Sequence, residues 1–189
     1  MKKVPVGVSA RHIHLSPAHL DQLFGPGAEL SVFKPLSQPG QFAANETVEV
    51  VGPKGSFAKV RILGPVRKRT QLEISRTDAF ALGVNPPVRE SGDIAGSAGI
   101  TIKGPAGEVT IEEGVIVAAR HIHFHTSDAE RWGISDKQKL SVRLSGERGV
   151  VLENVVARVS PDFALDMHID TDEANAAGAK TGDEAEIIG

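Results

Sequence analysis

Apolar and polar positions alternate along the chain in short runs that end at glycine or proline. Because successive side chains of a strand point to opposite faces, this period of two predicts half-buried strands. Paired runs flank GPKG at 52–55, GPAG at 104–107 and SGERG at 145–149, which predicts three β-hairpins. The predicted strands lie in VPVGVSA, ELSVFKPL, ETVEVVGPKGSFAKVRIL, GITIKGPAGEVTIEEGVIVAA, KLSVRLSGERGVVLENVVARV and EAEII.

Four short helices are predicted between the strands, each with a polar start and a glycine at its end. The first begins at Ser16-Pro17, with proline in the first helical position, and continues to about Phe24 before Gly25. The other three begin at Thr77-Asp78, Ser127-Asp128 and Thr171-Asp172 and end at Gly83, Gly133 and Gly178.

Two internal repeats indicate a duplication. Ala10–His14 (ARHIH) recurs as Ala119–His123, 109 residues later, and Glu73-Ile74-Ser75 before one helix is echoed by His168-Ile169-Asp170 before another. We therefore predict a mainly β fold of two duplicated small β-barrels capped by short α-helices. The halves are predicted at 1–95 and 96–189, with exchange of strands between them left open.

Composition narrows the classes of function. The chain has no cysteine, which excludes disulfides, thiolate metal ligands and a cysteine nucleophile. A net charge of -3 argues against nucleic-acid and anionic-membrane partners, although residues 1–95 carry 12 Lys/Arg against 8 Asp/Glu and would favour an anionic small ligand. MKKVPVGV lacks the apolar stretch of a signal peptide and no run approaches the roughly 20 apolar residues of a membrane helix, so we expect a soluble intracellular protein.

The motif that carries chemistry is His-x-His, at His12/His14 and again at His121/His123. On a strand, the two histidines of each pair point to the same side about 6.5–7 Å apart, and they can converge on one metal ion. A single copy would more often be surface or hydrogen-bonded histidines. Two copies in matching context, in a chain without cysteine, favour metal sites built from histidine and carboxylate.

A third ligand for each pair is predicted at the aligned positions Glu73, in QLEIS, and His168, in DMHID. An ionisable group in such an apolar setting is costly unless it is paired or metal-bound. Three protein ligands with an open position are typical of catalytic zinc sites. The predicted sets are His12, His14 and Glu73, and His121, His123 and His168. His125 is interpreted as a helix cap, and His19 as a solvated helix residue.

Arginines close to the motifs predict an anion site. Arg67 after ILGPV aligns with Arg158 after NVVA, one in each half, and guanidinium groups suit bidentate binding of phosphate. Arg11 and Arg120 point away from the flanking histidines, so a structural role is expected for them. The polar residues nearby are Gln38, Gln41 and Gln71, for which ordinary loop polarity is an equal alternative, and Ser91, a candidate anion contact.

Five stretches together resemble the PduL-type phosphate propanoyltransferases, which are phosphotransacylases associated with bacterial microcompartments. They are VSARHIHLSPAHLDQLFG, KPLSQPGQFAANETV, VRKRTQLEISRTDAFALG with PVRESGD, VIVAARHIHFHTSDAERWGI and DMHIDTDEANAAG. The resemblance extends over essentially the whole chain. The resemblance implies two helix-capped β-barrels and two zinc ions per chain, bound by the two ligand sets given above. It also implies reversible acyl transfer between propanoyl-CoA and phosphate, in degradation of the 1,2-propanediol type.

The resemblance implies roles for individual residues as well. Arg67 matches the phosphate-binding arginine, and the residues lining the same cleft are Gln38, Gln41, Gln71, Ser91 and Arg158. Those implied for coenzyme A are Ser9, Lys34, Arg61 and Asn175. We expect a homodimer that uses acyl-CoA and phosphate. Many members carry an amphipathic N-terminal segment for the microcompartment, and none precedes MKKVPVGV here, so the expected location is the microcompartment or the cytoplasm.

Three alternatives stay open at this point. A preference for acetyl-CoA differs from one for propanoyl-CoA by one methylene, worth only about 1–3 kcal/mol in a pocket. A cupin-like metal hydrolase or oxygenase would also place His-x-His and Glu on a β-barrel, although the duplicated ligand set argues against it. A metal-binding scaffold without catalytic activity is the third.

Overall fold

The computed structural model describes residues 2–189, in which strands predominate and four helices are short. The strands are β1 (Lys2–Ser9), β2 (His12–His14), β3 (Val32–Pro35), β4 (Phe42–Val51), β5 (Ser56–Gly64), β6 (Gln71–Glu73), β7 (Val88–Arg89), β8 (Ala98–Lys103), β9 (Glu108–Ala118), β10 (His121–Phe124), β11 (Lys139–Leu144), β12 (Val150–Val159), β13 (Asp166–Asp170) and β14 (Glu184–Ile187). The helices are α1 (Pro17–Phe24), α2 (Arg76–Leu82), α3 (Thr126–Trp132) and α4 (Thr171–Ala177). Within residues 2–189, no helix has the length and apolar character needed to span a bilayer.

The described chain divides into two compact units, of which one comprises Arg11–Leu36 and Gly40–Ala118. Its strands pair in the order β4-β5-β2-β6-β9-β8, and β8 pairs back onto β4. This unit is therefore a closed six-stranded barrel, to which β3 and β7 add short edges beside β4 and β9.

The other unit comprises the described residues up to Ala10, Ser37–Pro39 and Ala119–Gly189. Its strands form a closed barrel in the order β1-β13-β10-β12-β11-β14. β1 directly precedes the first His-x-His strand, yet it pairs with β13 and β14 of this unit. In the same way β9 precedes the second His-x-His strand and belongs to the first barrel. The two-barrel fold class is confirmed, while the duplication boundary between 95 and 96 stays a prediction.

Both barrels are built on one plan of strand pairing. β2 lies between parallel β5 and antiparallel β6, and β10 lies between parallel β12 and antiparallel β13. Matching these pairings makes Ile62 equivalent to Ala157 and Leu72 equivalent to Met167, a constant difference of 95 positions. The structure thus supplies a residue-by-residue alignment of the two strands in each barrel that carry the predicted metal ligands.

Alternation along the strands places apolar side chains in the barrel cores and the histidines on the opposite face. Ile13, between His12 and His14, is fully buried and packs in one core with Leu72. Ile122 occupies the same place in the second core. Each such aliphatic side chain contributes about 1.5–3 kcal/mol when fully buried, and this energy fixes the register that orients the histidines.

The four predicted helices are present and end at the predicted glycines, and the three hairpins are confirmed. The starts of three helices differ from the prediction. Ser75, His125 and Asp170 are the N-caps. Helix α4 therefore follows its strand directly, while one residue separates α3 from β10 and two residues separate α2 from β6. Ser75 and Asp170 each form a capping box with an acidic residue, which the predicted starts at Thr77 and Thr171 overlooked.

Candidate metal centres

The first candidate metal cluster contains His12, His14 and Glu73 on two paired strands. The β2–β6 register sets His12 opposite Glu73. His12 Nε2 lies 3.4 Å from Glu73 Oε2, His14 Nε2 lies 4.0 Å from Glu73 Oε1, and the candidate ligand atoms all lie within 4.8 Å of one another. All three residues are buried. The fold thus brings the three predicted ligands of this site together.

The electrostatics of this cluster suit a cation. Burial lowers the pKa of His14 to about 3, and the charges of His12 and Arg67 act in the same direction. The imidazole is therefore neutral near pH 7 and keeps a lone pair. Burial raises the pKa of Glu73, but the neighbouring histidines and a hydrogen bond from Ser91 outweigh it and hold this pKa well below its usual value. Two imidazole nitrogens and a carboxylate oxygen form a donor set that zinc binds.

A hydrogen-bonded network links Glu73 to Arg67. Ser91 Oγ donates to Glu73 Oε1 at 2.8 Å and accepts from Arg67 Nη1 at 3.0 Å. Gln71 Nε2 donates both to Ser91 Oγ at 2.9 Å and to Glu73 Oε1 at 2.6 Å. The backbone N–H of Gly92 donates to Gln71 Oε1 at 2.7 Å, which orients the amide. Arg67, Gln71 and Ser91 are thus assembled beside the first cluster.

The second cluster contains His121, His123 and His168. The β10–β13 register sets His121 opposite His168, and the three ring centroids lie 4.7, 5.3 and 5.0 Å apart. Their candidate ligand atoms also lie within 4.8 Å of one another. His121 Nδ1 donates to the carbonyl of Ala119 at 2.8 Å, so Nε2 carries the lone pair of the neutral ring. The second predicted ligand set is also brought together.

A carboxylate that was not predicted from the sequence lies beside the second cluster. Asp166 Oδ2 is 3.0 Å from His168 Nε2 and accepts a short hydrogen bond from Ser37 Oγ. Asp166 is only 6% exposed. The difference of 95 positions aligns it with Gln71, so the same repeat that pointed to His168 could have found it.

The predicted equivalence of Arg67 and Arg158 is wrong. Arg158 lies on β12 opposite His123, and the matching position in the other barrel is Leu63. Arg67 instead follows the end of β5 and sits beside the first cluster through Ser91. The similarity between ILGPV and NVVA misled the alignment because apolar strand ends resemble one another at several registers. Each arginine therefore has to be judged on its own surroundings.

Arg11 and Arg120, the arginines of the doubled ARHIH, have the structural role expected for them. Arg11 Nη2 lies 2.5 Å from Asp78 Oδ1, and Arg120 Nη1 lies 3.0 Å from Glu173 Oε1. Asp78 and Glu173 are the acidic members of the two capping boxes, in α2 and α4. Each arginine thus ties a histidine strand to the helix that follows the third ligand.

The residues implied for coenzyme A are divided between the two units. Lys34 is exposed on β3, and the Arg61 guanidinium lies over the Phe33 ring at 5.0 Å while it donates to two backbone carbonyls. Ser9 ends β1, and Asn175 is exposed on α4. The cationic pair of the first unit offers charge suited to phosphate groups, but these positions stay a prediction.

Three further polar residues have defined contacts. Gln38 is buried, and its amide both donates to and accepts from the backbone of Ala164, at 2.9 and 3.2 Å, so it is not ordinary loop polarity. His125 caps α3 by accepting a backbone hydrogen bond, as predicted. The prediction of a solvated His19 is wrong, because its Nδ1 lies 2.7 Å from the Thr70 hydroxyl in a partly buried position.

Comparisons with known proteins agree with this layout. A family model described as phosphate propanoyltransferase matches residues 5–180, which include both clusters. A protein of Thermotoga maritima named phosphate propanoyltransferase is 58% identical over 184 residues, covering 97% of this chain and 88% of that protein. Proteins of the same name from Rhodobacter capsulatus and Rhodopseudomonas palustris are 57% and 54% identical, over 93% and 98% of this chain and 81% and 82% of their own lengths.

Proposed function

This chain belongs to the phosphate propanoyltransferase family, and we propose that it interconverts propanoyl-CoA plus phosphate and propanoyl phosphate plus coenzyme A. It is accordingly an acyltransferase. The observation that carries the proposal is the hydrogen-bonded network from Arg67 through Ser91 to Glu73. This network connects an arginine that could bind phosphate to a cluster of three candidate metal ligands. Neither a cupin-like single site nor a scaffold explains why a guanidinium is held there.

We propose that each cluster binds one zinc ion, held by His12, His14 and Glu73 and by His121, His123 and His168. The donor sets support this assignment, because both converge, both lack thiolate, and all their residues are buried except His168, which is partly buried. Zinc in such a site supplies a Lewis acid for a thioester carbonyl and a soft partner for a thiolate. The two sites differ by one carboxylate, so the ligands of the first site would carry one more negative charge than those of the second.

Arg67 would bind the attacking phosphate by bidentate hydrogen bonds. Ser91 and Gln71 support this role, because they hold the guanidinium and each other in one orientation. Arg158, opposite His123 in the other unit, is proposed to balance negative charge that develops on the tetrahedral intermediate. A preset orientation matters here because phosphate must approach the carbonyl carbon along one line.

Direct attack by phosphate fits the residues of the first cluster better than an acyl-enzyme. The chain has no cysteine, and Ser91 Oγ accepts from both Arg67 and Gln71, so both of its lone pairs are engaged. In the proposed step, a phosphate oxygen bonds to the carbonyl carbon and the C–S bond breaks. The electron pair leaves on sulfur, which gains a proton to give the coenzyme A thiol.

Substrate range, partners and location are further parts of the proposal. Ser9, Lys34, Arg61 and Asn175 would contact coenzyme A. The names of the relatives favour propanoyl over acetyl groups, and kinetics on acetyl-, propanoyl- and butanoyl-CoA would rank the three substrates. A role in propanediol degradation, a homodimer and association with a microcompartment rest on the resemblance. Light scattering and fractionation of the producing cells test the last two.

The decisive assay measures phosphate-dependent release of thiol from propanoyl-CoA. Arg67→Gln should raise KM for phosphate or lower kcat by about 100-fold or more, the scale expected for loss of a transition-state charge contact. Arg69→Gln is the matched control, because Arg69 is a nearby exposed arginine that pairs with Glu113. If kcat and KM for phosphate were the same in Arg67→Gln as in Arg69→Gln, Arg67 would have no role in phosphate binding or transfer.

Metal content is tested separately. Elemental analysis of the purified protein should give two zinc ions per chain, and Glu73→Ala and His123→Ala should each lose one ion together with transfer activity. Ser127→Ala serves as a control, since the Ser127 hydroxyl hydrogen-bonds to His125, the N-cap of α3, and Ser127 belongs to neither ligand set. Full activity of a metal-free protein would end the zinc account.

A further inference from the structure

The two clusters share a second layer that strand pairing makes directly comparable. His14 lies opposite Gln71 on β6, and His123 lies opposite Asp166 on β13. In both barrels this residue contacts the third candidate ligand two positions later on its own strand. Gln71 Nε2 reaches Glu73 Oε1 at 2.6 Å, and Asp166 Oδ2 reaches His168 Nε2 at 3.0 Å. Equivalent positions thus hold a neutral amide in one cluster and a carboxylate in the other.

The Asp166 carboxylate accepts a hydrogen bond from one segment of its unit and lies beside a glycine of another. Ser37 Oγ donates to its Oδ2, and the neighbouring Gln38 holds this segment through two hydrogen bonds to the backbone of Ala164. Gly7 on β1 leaves room for it, since a Cβ there would lie 3.3 Å from Asp166 Oδ2. A buried carboxylate needs such partners, because an unpaired charge is costly in the interior.

The contacts of His168 indicate which of its nitrogens is occupied. Its Cδ2–Nε2 edge faces Gly7 on β1, where a Cβ would lie 3.0 Å from Cδ2 and 3.3 Å from Nε2. β10, which carries His121, pairs with the opposite side of β13. A carboxylate acceptor at Nε2 places the proton of the neutral ring on that nitrogen and leaves the lone pair on Nδ1. Asp166 itself does not belong to the group whose ligand atoms all lie within 4.8 Å.

Charge explains why the two positions differ. The first ligand set contains one carboxylate, whereas the second consists of three imidazoles, which are neutral when they coordinate. A divalent ion would thus leave a net charge one unit higher in the second cluster. Asp166 supplies one negative charge at the position where the first cluster has Gln71. With this residue counted, the two centres carry the same charge.

We propose that Asp166 is a positioning residue of the second cluster, which accepts the Nε2 proton of His168, directs Nδ1 to the metal and replaces the charge that Glu73 provides in the first. This inference rests on the metal binding put forward under Proposed function. It extends that proposal by giving the two carboxylates different roles. Glu73 is a metal ligand in the first cluster, whereas Asp166 contacts a metal ligand in the second. Ser37 acts on the metal only through Asp166.

The test is zinc competition with a chromophoric chelator on the full chain, which yields an affinity for each of the two ions. Asp166→Asn should weaken one ion by about 10-fold or more and leave the other unchanged, the usual scale for loss of an outer-layer carboxylate. Asp162→Asn is the matched control, because it removes the same charge from an exposed position four residues earlier. Ser37→Ala, which leaves the carboxylate in place, should weaken the same ion by a few-fold.

A second readout, which a merely structural residue would not move, is the ¹⁵N spectrum of the histidine rings in the zinc-loaded protein. We expect His168 to be coordinated through Nδ1 with a proton on Nε2. Unchanged affinities in both Asp166→Asn and Ser37→Ala, or coordination of His168 through Nε2, would overturn the inference while leaving the two metal sites intact. A parent protein that binds no zinc would instead overturn the metal proposal, and this inference with it.

Discussion

His14 makes the metal-free protein sensitive to mild acid. It is 2% exposed, and burial lowers its pKa to about 3, with His12 and Arg67 acting in the same direction. In the unfolded chain its pKa returns to 6.5. Between these values the unfolded chain binds a proton that the folded protein does not. The free energy of unfolding therefore falls as the pH drops through 6.5 and keeps falling toward pH 3.

The size of the effect follows from the same two pKa values. Between pH 7.5 and pH 5.0 the linkage relation gives a loss of about 2 kcal/mol from this side chain. Glu73 adds little to the change in the free energy of unfolding between pH 7.5 and pH 5.0. Its pKa is depressed in the folded protein, so its contribution is complete above its unfolded value of 4.5 and is lost only as the pH falls below that value.

The assay is urea unfolding of chelator-treated protein at pH 7.5 and pH 5.0, followed by far-ultraviolet circular dichroism. The parent should lose about 2 kcal/mol more between the two pH values than His14→Gln does. His125→Asn is the control, because it removes a histidine but keeps a residue suited to cap α3. The same pH dependence in the parent and His14→Gln would refute the assignment to His14.

Three further predictions concern other parts of the fold. Arg11→Met should lower the free energy of unfolding by about 1–3 kcal/mol in urea titrations, because it leaves the buried Asp78 carboxylate without its ion pair. The control Lys3→Met removes a charge from an exposed ion pair and should leave the free energy of unfolding nearly unchanged. Gly7→Ala should weaken zinc binding at the second cluster in chelator competition, since the new Cβ would lie 3.0 Å from His168 Cδ2; unchanged affinity would contradict this packing. Incubation with radiolabelled propanoyl-CoA should leave no label on denatured protein, and a stable labelled chain would exclude direct attack by phosphate.

Much of the site was predictable because its spacing is local. A period of two determines which side His12 and His14 share, and the repeat carries that pattern to the second cluster and to both third ligands. The alignment of Arg67 with Arg158 is wrong because Arg67 lies beyond the end of β5, where the period of two no longer determines which residues are equivalent. Only the pairing of β5 and β12 with their neighbours sets the true register.

The contacts that were missed join distant parts of the chain. Ser37 and Asp166 are 129 positions apart, and the sequence around either residue does not predict a contact with the other. The strand β1 shows the same limit at the level of the fold. Its alternation predicts a strand, but its partners β13 and β14 are chosen by packing in the finished barrel. Tertiary contacts of this kind follow from the fold and are not written in any short window.

The exchange of β1 and β9 has a consequence for how the protein is made. β1 is synthesised well before its partners, which lie at Asp166–Asp170 and Glu184–Ile187. At about 5–20 residues per second, the N-terminal strand would wait roughly 10–40 seconds with its edges unpaired. The barrel of residues 11–118 can close while the rest of the chain is being translated, because all six of its strands precede residue 119. The other barrel closes only after β14 has been synthesised, so the interval before its closure is when an incomplete chain is most exposed to pairing with a neighbour.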